Sequence, residues 1–247
     1  MPPCVRRFER TIPVHVLARE ADLTRTQREG LGKIEALTLL GVAQEITTSI
    51  PATPATDRRI DAVLFVRASL GNTRALESTA TVVHACFPHP SVLILENARG
   101  DVCLSAALTS RRKRATGFAV NAMEADSDIG SWRRTEQGKA FLSSLAFETL
   151  DQRSLAHLTQ DIMARIRLAR VARLVGFYPD PGLCRSPDVV AVIERLLECQ
   201  GRQDRLRARW KAHGTTQRER LQLRIPLSEA IDQTKAAVDE LTRRCGR

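Results

Sequence analysis

The chain has 247 residues and a formal net charge of +10; 43% of it is apolar but only 4% aromatic. That length admits one sizeable domain with an appendage or two small domains, and the core has to come from Leu, Val, Ile and Ala. No apolar run reaches the roughly 20 residues of a membrane span, and the opening MPPCVRRFERTIPV lacks a continuous signal-type apolar stretch, so a cytoplasmic protein is expected.

The predicted elements begin after an opening that reads as irregular and basic. In DLTRTQREGLGKIEALTLL, Thr24 is a plausible N-cap for a short helix that Gly30 and Gly32 weaken. ALTLLGVAQEITTSI is rich in β-branched residues and reads as a strand, and PATPATDRR as a loop. RIDAVLFVRAS is an apolar run of strand length, and NTRALESTATVVHACFP has helical spacing up to Pro88. PSVLILENA reads as another strand, turned by RGD into VCLSAALTS, with TGFAVNAME as one more. Strand, helix, strand and hairpin make a βαβ crossover with an antiparallel extension, and the near-continuous apolar strands predict burial on both faces.

From residue 139 the pattern is helical. KAFLSSLAFETL is short and amphipathic. DQRSLAHLTQDIMARIRLARVARLVGF is longer, with Arg167, Arg170 and Arg173 recurring as a basic stripe opposite its apolar face. Val189, Val192, Leu196, Cys199, Gln203, Leu206 and Trp210 then follow heptad spacing with one polar break. AHGTT turns the chain, Thr216 and Glu219 fit a capping box, and Leu227, Ile231, Thr234, Val238 and Leu241 repeat the spacing. Pro226 must kink this helix or begin a new segment of it. The expected fold is therefore α/β (α+β): a small mixed sheet with a βαβ-hairpin core over residues 1–150, a long helix and linker over 151–183, and an antiparallel helical hairpin, a coiled coil, over 184–247.

The chemistry-bearing residues are sparse. The six cysteines are scattered, without zinc spacing, and predict reduced thiols and no metal site. The five histidines converge on no nucleophile signature, and there is no GxSxG, HExxH or P-loop, so no catalytic residue and no cofactor is assigned. A metal-dependent nuclease of the restriction type would need acids near strand ends with a nearby Lys; Asp61, Glu96 and Asp101 are the candidates, but Asn97-Ala98 follows Glu96 where that Lys belongs.

The basic features are stronger. Residues 1–150 hold 19 Lys and Arg against 16 Asp and Glu, whereas residues 151–247 hold 19 against 12. A basic surface raises the local concentration of polyanions. Arg111, Arg112, Lys113 and Arg114 stand where a strand leaves the sheet; with Arg167, Arg170, Arg173, Arg205 and Arg209 they are the candidate phosphate contacts, the alternative being solvated faces. Leu196, Leu206, Trp210, Ile231 and Val238 are candidates for a partner contact, including a homodimer through the hairpin.

Several motifs in order, RTIPVHVL, IEALTLLGVAQEITTSIPAT, VVHACFPHPSVLIL, VCLSAALTSRRKR, ARLVGF and the pair of C-terminal helices, resemble an uncharacterised bacterial family, the domain of unknown function numbered 4391. LTLLG departs from that pattern, standing where an aromatic strand is usual. The resemblance implies an accessory component encoded beside helicase and DNA-methyltransferase genes of phage-defence islands. It carries over no catalytic residue. What it leads one to expect is a non-catalytic subunit touching DNA phosphates, a helicase or methyltransferase partner, or both.

Overall fold

The computed structural model describes residues 6–20, 23–53, 59–111 and 118–246. Two compact units divide at Met1–Ala169 and Arg170–Arg247.

The first unit is built on a six-stranded sheet whose spatial order equals its chain order: β1 (Arg6–Thr11), β2 (Ile34–Gln44), β3 (Ala62–Leu70), β4 (Ser91–Asn97), β5 (Val102–Arg111) and β6 (Phe118–Asp126). Every neighbouring pair is antiparallel except β3 and β4. A parallel pair needs a crossover, and α4 (Leu76–His84) supplies it, as the apolar spacing before Pro88 predicts. The expected mixed sheet with a βαβ-hairpin core is thus present.

Two short helices at the start, α1 (Val14–Glu20) and α2 (Arg25–Leu31), complete the layer that includes α4, and the single turn α3 (Glu45–Thr48) follows β2. Thr24 caps α2 as expected, in a reciprocal capping box with Gln27. Leu31, Leu37, Val66, Leu76, Val83 and Leu93 form the centre of that core. The opening is not irregular: β1 pairs with β2 across a register shift at Arg7/Arg10, where Glu9 takes a φ of 46°. As an edge strand it is paired on one side only, and so tolerates the charges that hide its strand character.

His84 ends α4 fully buried, its Nδ1 2.6 Å from Ser91 Oγ and its Nε2 2.9 Å from Ser105 Oγ. Ser105 donates its own hydroxyl proton to the Glu124 carbonyl at 3.0 Å. It therefore accepts from Nε2–H, and Nδ1 accepts from Ser91. Burial pushes the imidazole down to about 3, so His84 is a neutral packing group.

Beyond β6 come the single turn α5 (Ile129–Trp132), α6 (Glu136–Ser144) and the long α7 (Leu155–Val175). Gly138 is required where α6 starts: a Cβ there would stand 2.3 Å from the Trp132 carbonyl oxygen. The Trp132 and Phe141 rings pack with centroids 5.8 Å apart. On α7, Asp161 and Arg165 form a buried ion pair at 2.8 Å. The Arg165 guanidinium also donates to the Ser144 and Thr149 carbonyls, and the Asp161 carboxylate accepts from the Asp151 amide at 3.0 Å.

The second unit is dominated by α8 (Pro187–Lys211) and α9 (Gln217–Cys245), an antiparallel hairpin as expected. Pro187 occupies the first helical turn, where its missing N–H costs nothing. Gly214, at φ 94°, turns the chain, and Thr216 with Glu219 forms the expected capping box. Helix α9 continues through Pro226.

The seam on α8 follows the expected positions Val189, Val192, Leu196 and Gln203. The seam on α9 keeps the expected Thr234 and Leu241 but otherwise shifts: Leu223, Ala230, Ala237 and Cys245 are buried, while Ile231 is 40% exposed and Leu227 and Val238 are half-buried. Small alanines let the helices approach, and the larger residues beside them sit on the flanks. Gln203, with its amide oxygen toward Arg207, donates to Thr234 Oγ1 at 3.1 Å. This buried polar pair fixes the register of the two helices.

Candidate nucleic-acid interface

Of the expected basic residues, Arg111 and Arg167 belong to the first unit and Arg170, Arg173, Arg205 and Arg209 to the second. Arg111 closes β5 opposite Phe118, and Arg112, Lys113 and Arg114 lie outside the described residues. Arg167 is not part of a free stripe: it pairs with Glu124 of β6 at 2.6 Å, because the sheet supplies a carboxylate that the periodicity of the helix alone does not reveal. Arg170 and Arg173 are exposed and have interaction partners of their own. Arg209 is exposed at the hairpin turn beside Glu219, whose carboxyl is held below its ordinary range first by hydrogen bonds from Thr216 and then by Arg209.

Arg205 sits elsewhere, in a groove of about 620 Å³ along one side of α8 and α9. Helix α8 contributes Arg195, Glu198, Cys199, Arg202 and Arg205, at helical steps of three and four residues. The return helix contributes Ala237, Glu240 and Arg243 with the same stepping. Cys199, Ala236 and Ala237 are small, which is why the floor is hollow. Among the described residues four arginines and two glutamates line it.

One of the glutamates is already neutralised. Glu240 pairs with Arg195 across the groove and with Arg244 one turn along at 2.7 Å, and these arginines hold its carboxyl below the ordinary range. Arg202, Arg205 and Arg243 are exposed, and among the described residues no carboxylate pairs with them. Only Arg205 was anticipated here. Helical spacing already sets Arg195 and Arg202 on the same face of α8 as Arg205, whereas Arg243 joins them only through the register of two antiparallel helices.

The partner candidates separate in the same way. Leu196 is fully buried inside the hairpin and cannot touch another molecule while the hairpin is closed. Leu206, Trp210 and Val238 are half-buried, and Ile231 is on the flank. Leu221 and Ile225, one turn apart on α9, are more exposed at 62% and 69%.

Of the three nuclease candidates, Asp61 stands apart from Glu96. Ser69 pairs with Glu96 in the parallel β3–β4 ladder, whereas Asp61 precedes β3 and contacts His89 Nδ1 at 3.2 Å. Eight residue steps of strand separate the two ends, roughly 26 Å. Asp101 accepts from Asn97 Nδ2 at 2.8 Å within its turn. Among the described residues no three His, Cys, Asp or Glu side chains gather as a metal site. Burial pushes the Cys86 and Cys103 thiols up to about 11 and 12, so neither presents a thiolate near neutral pH.

A domain of unknown function, DUF4391, matches residues 3–233. The chain belongs to this family. No curated protein and no solved structure matches it. Among the described residues, no helix is long and apolar enough to cross a membrane.

Proposed function

We propose that this DUF4391 protein is a non-catalytic accessory subunit of a bacterial DNA-directed defence or restriction-modification-like assembly, acting in the cytoplasm and gripping nucleic-acid phosphates through its helical hairpin. The observation that carries this reading is the groove in which Arg202, Arg205 and Arg243 point charge outward without a carboxylate partner. Clustered guanidinium groups hold phosphates without reading sequence. The helicase or methyltransferase partner rests on the implied context of the family.

Fluorescence anisotropy with labelled DNA over a salt series tests the grip: binding at 50 mM salt that weakens steeply with added salt is expected, and no binding there sinks the direct contact. Recovery of a helicase or methyltransferase with the tagged protein from its native host tests the assembly.

A scaffold that touches only protein is the second reading, favoured by the exposure of Leu221 and Ile225. Under it, Leu221→Ser with Ile225→Ser abolishes recovery of the partner, and removal of the groove arginines does not.

A further inference from the structure

Resting on the proposed phosphate grip, we infer that the groove between α8 and α9 takes the backbone of a single nucleic-acid strand and does not admit a duplex. The floor of the groove is made of small residues between two packed helices, whose axes in such pairs lie roughly 8–10 Å apart. A rigid duplex is wider than that spacing and reaches only the rim. One flexible strand fits along the floor.

Arg195 and Arg205 are ten residues apart on α8, so the basic lining extends about 15 Å along the helix. Arg202 and Arg205 charge the wall on α8 and Arg243 the wall on α9, so a strand lying in the groove meets guanidinium groups from both sides. Arg195 stays committed to Glu240, which leaves three arginines for phosphates. Glu198 is the remaining acid of the lining and lowers the net attraction without closing the groove. Among the described residues no aromatic side chain lines it, so bases find no stacking platform there and the contact is indifferent to sequence.

Three phosphate contacts on a single strand give a slope of log K against log salt near −2, at about −0.7 per contact. Between 50 and 200 mM salt that is a loss of roughly 20-fold. The test compares labelled dT20, dA20 and a 20-base-pair duplex on the full chain and on the variant R202Q/R205Q/R243Q. The three arginines are exposed, and an unchanged far-UV circular dichroism spectrum confirms that the variant folds.

Tighter binding of dT20 and dA20 than of duplex, equal for the two strands, is expected, with a salt slope near −2 that the variant abolishes. A variant that keeps the single-strand affinity and slope overturns the groove while leaving a general phosphate grip intact. Duplex bound as tightly as dT20, and lost equally in the variant, overturns the preference for one strand. Full displacement of dT20 by tripolyphosphate at equal phosphate concentration reassigns the groove to small polyanions. A wild-type chain that binds none of the three DNAs at 50 mM salt removes the underlying reading as well.

Discussion

Two sets of arginines, one in each unit, are put to opposite uses. In the first, Arg165 is buried against Asp161 and the Ser144 and Thr149 carbonyls, and Arg167 is tied to Glu124 on the sheet. In the second, Arg202, Arg205 and Arg243 face solvent from a hairpin whose interior is closed by leucine, alanine and the Gln203–Thr234 pair. Net charge alone does not separate these uses. An arginine surrounded by acceptors fixes structure, and one left without a carboxylate is available to an outside phosphate.

The contrast is broken most severely at Arg165. Arg165→Ala leaves the Asp161 carboxylate buried without its countercharge and strips the Ser144 and Thr149 carbonyls of a donor. The expected loss is about 3–5 kcal/mol from the first unit, against at most about 0.5 kcal/mol for the exposed Arg202→Gln in the second. The two tryptophans make this measurable, since Trp132 belongs to the first unit and Trp210 to the second. Urea unfolding followed by fluorescence in a Trp210→Phe background reports the first unit, and equal midpoints for the two arginine variants would erase the distinction.

The next largest effect is acid sensitivity. His84 titrates near 6.5 in the unfolded chain and at about 3 when folded, so below pH 6.5 the unfolded state binds a proton that the folded state refuses. Stability contributed by neutral His84 is complete above pH 6.5 and falls as the pH drops toward 3, reaching a loss of about 2 kcal/mol at pH 5. Unfolding midpoints at pH 7.5, 6 and 5 should fall faster for the wild-type chain than for His84→Gln, which has no such proton to take up. Parallel profiles would mean that the buried imidazole is not the sensor.

Much of the first unit was legible because its signals are local. The runs before and after α4 are apolar for a strand's length, Pro88 stops the helix, and a parallel pair follows from the crossover. The edge strand β1 was not, since four charges in RRFERT mask alternation that only its pairing with β2 reveals. The existence of the hairpin and the cap of α9 were equally readable, but of its α9 seam only Thr234 and Leu241 were. Ile231 and Val238 look like core by hydrophobicity, yet Ala230 and Ala237 win because close approach of two helices favours small side chains. The candidate site suffered from the same limit. Helical spacing says which residues share a face, and says nothing of the Glu124 opposite Arg167 or of the Arg243 brought beside Arg195.

The smallest effect separates the stability of the hairpin from its grip. Gly201 sits inside α8, where glycine costs about 1 kcal/mol relative to alanine through backbone entropy. A Cβ there would meet Arg205 Nη1 at 3.4 Å, ordinary contact with the far end of a flexible side chain. Gly201→Ala should therefore stabilise the second unit by up to about 1 kcal/mol, seen through Trp210 in a Trp132→Phe background, and leave the first unit unchanged. Affinity for dT20 should stay within twofold, because Arg205 can give by a small rotation without leaving the groove. If the substitution stabilises the hairpin and yet costs affinity, the glycine is there to seat Arg205; if affinity holds, the cost of glycine at 201 has no counterpart in phosphate binding, and the grip depends on the charges alone.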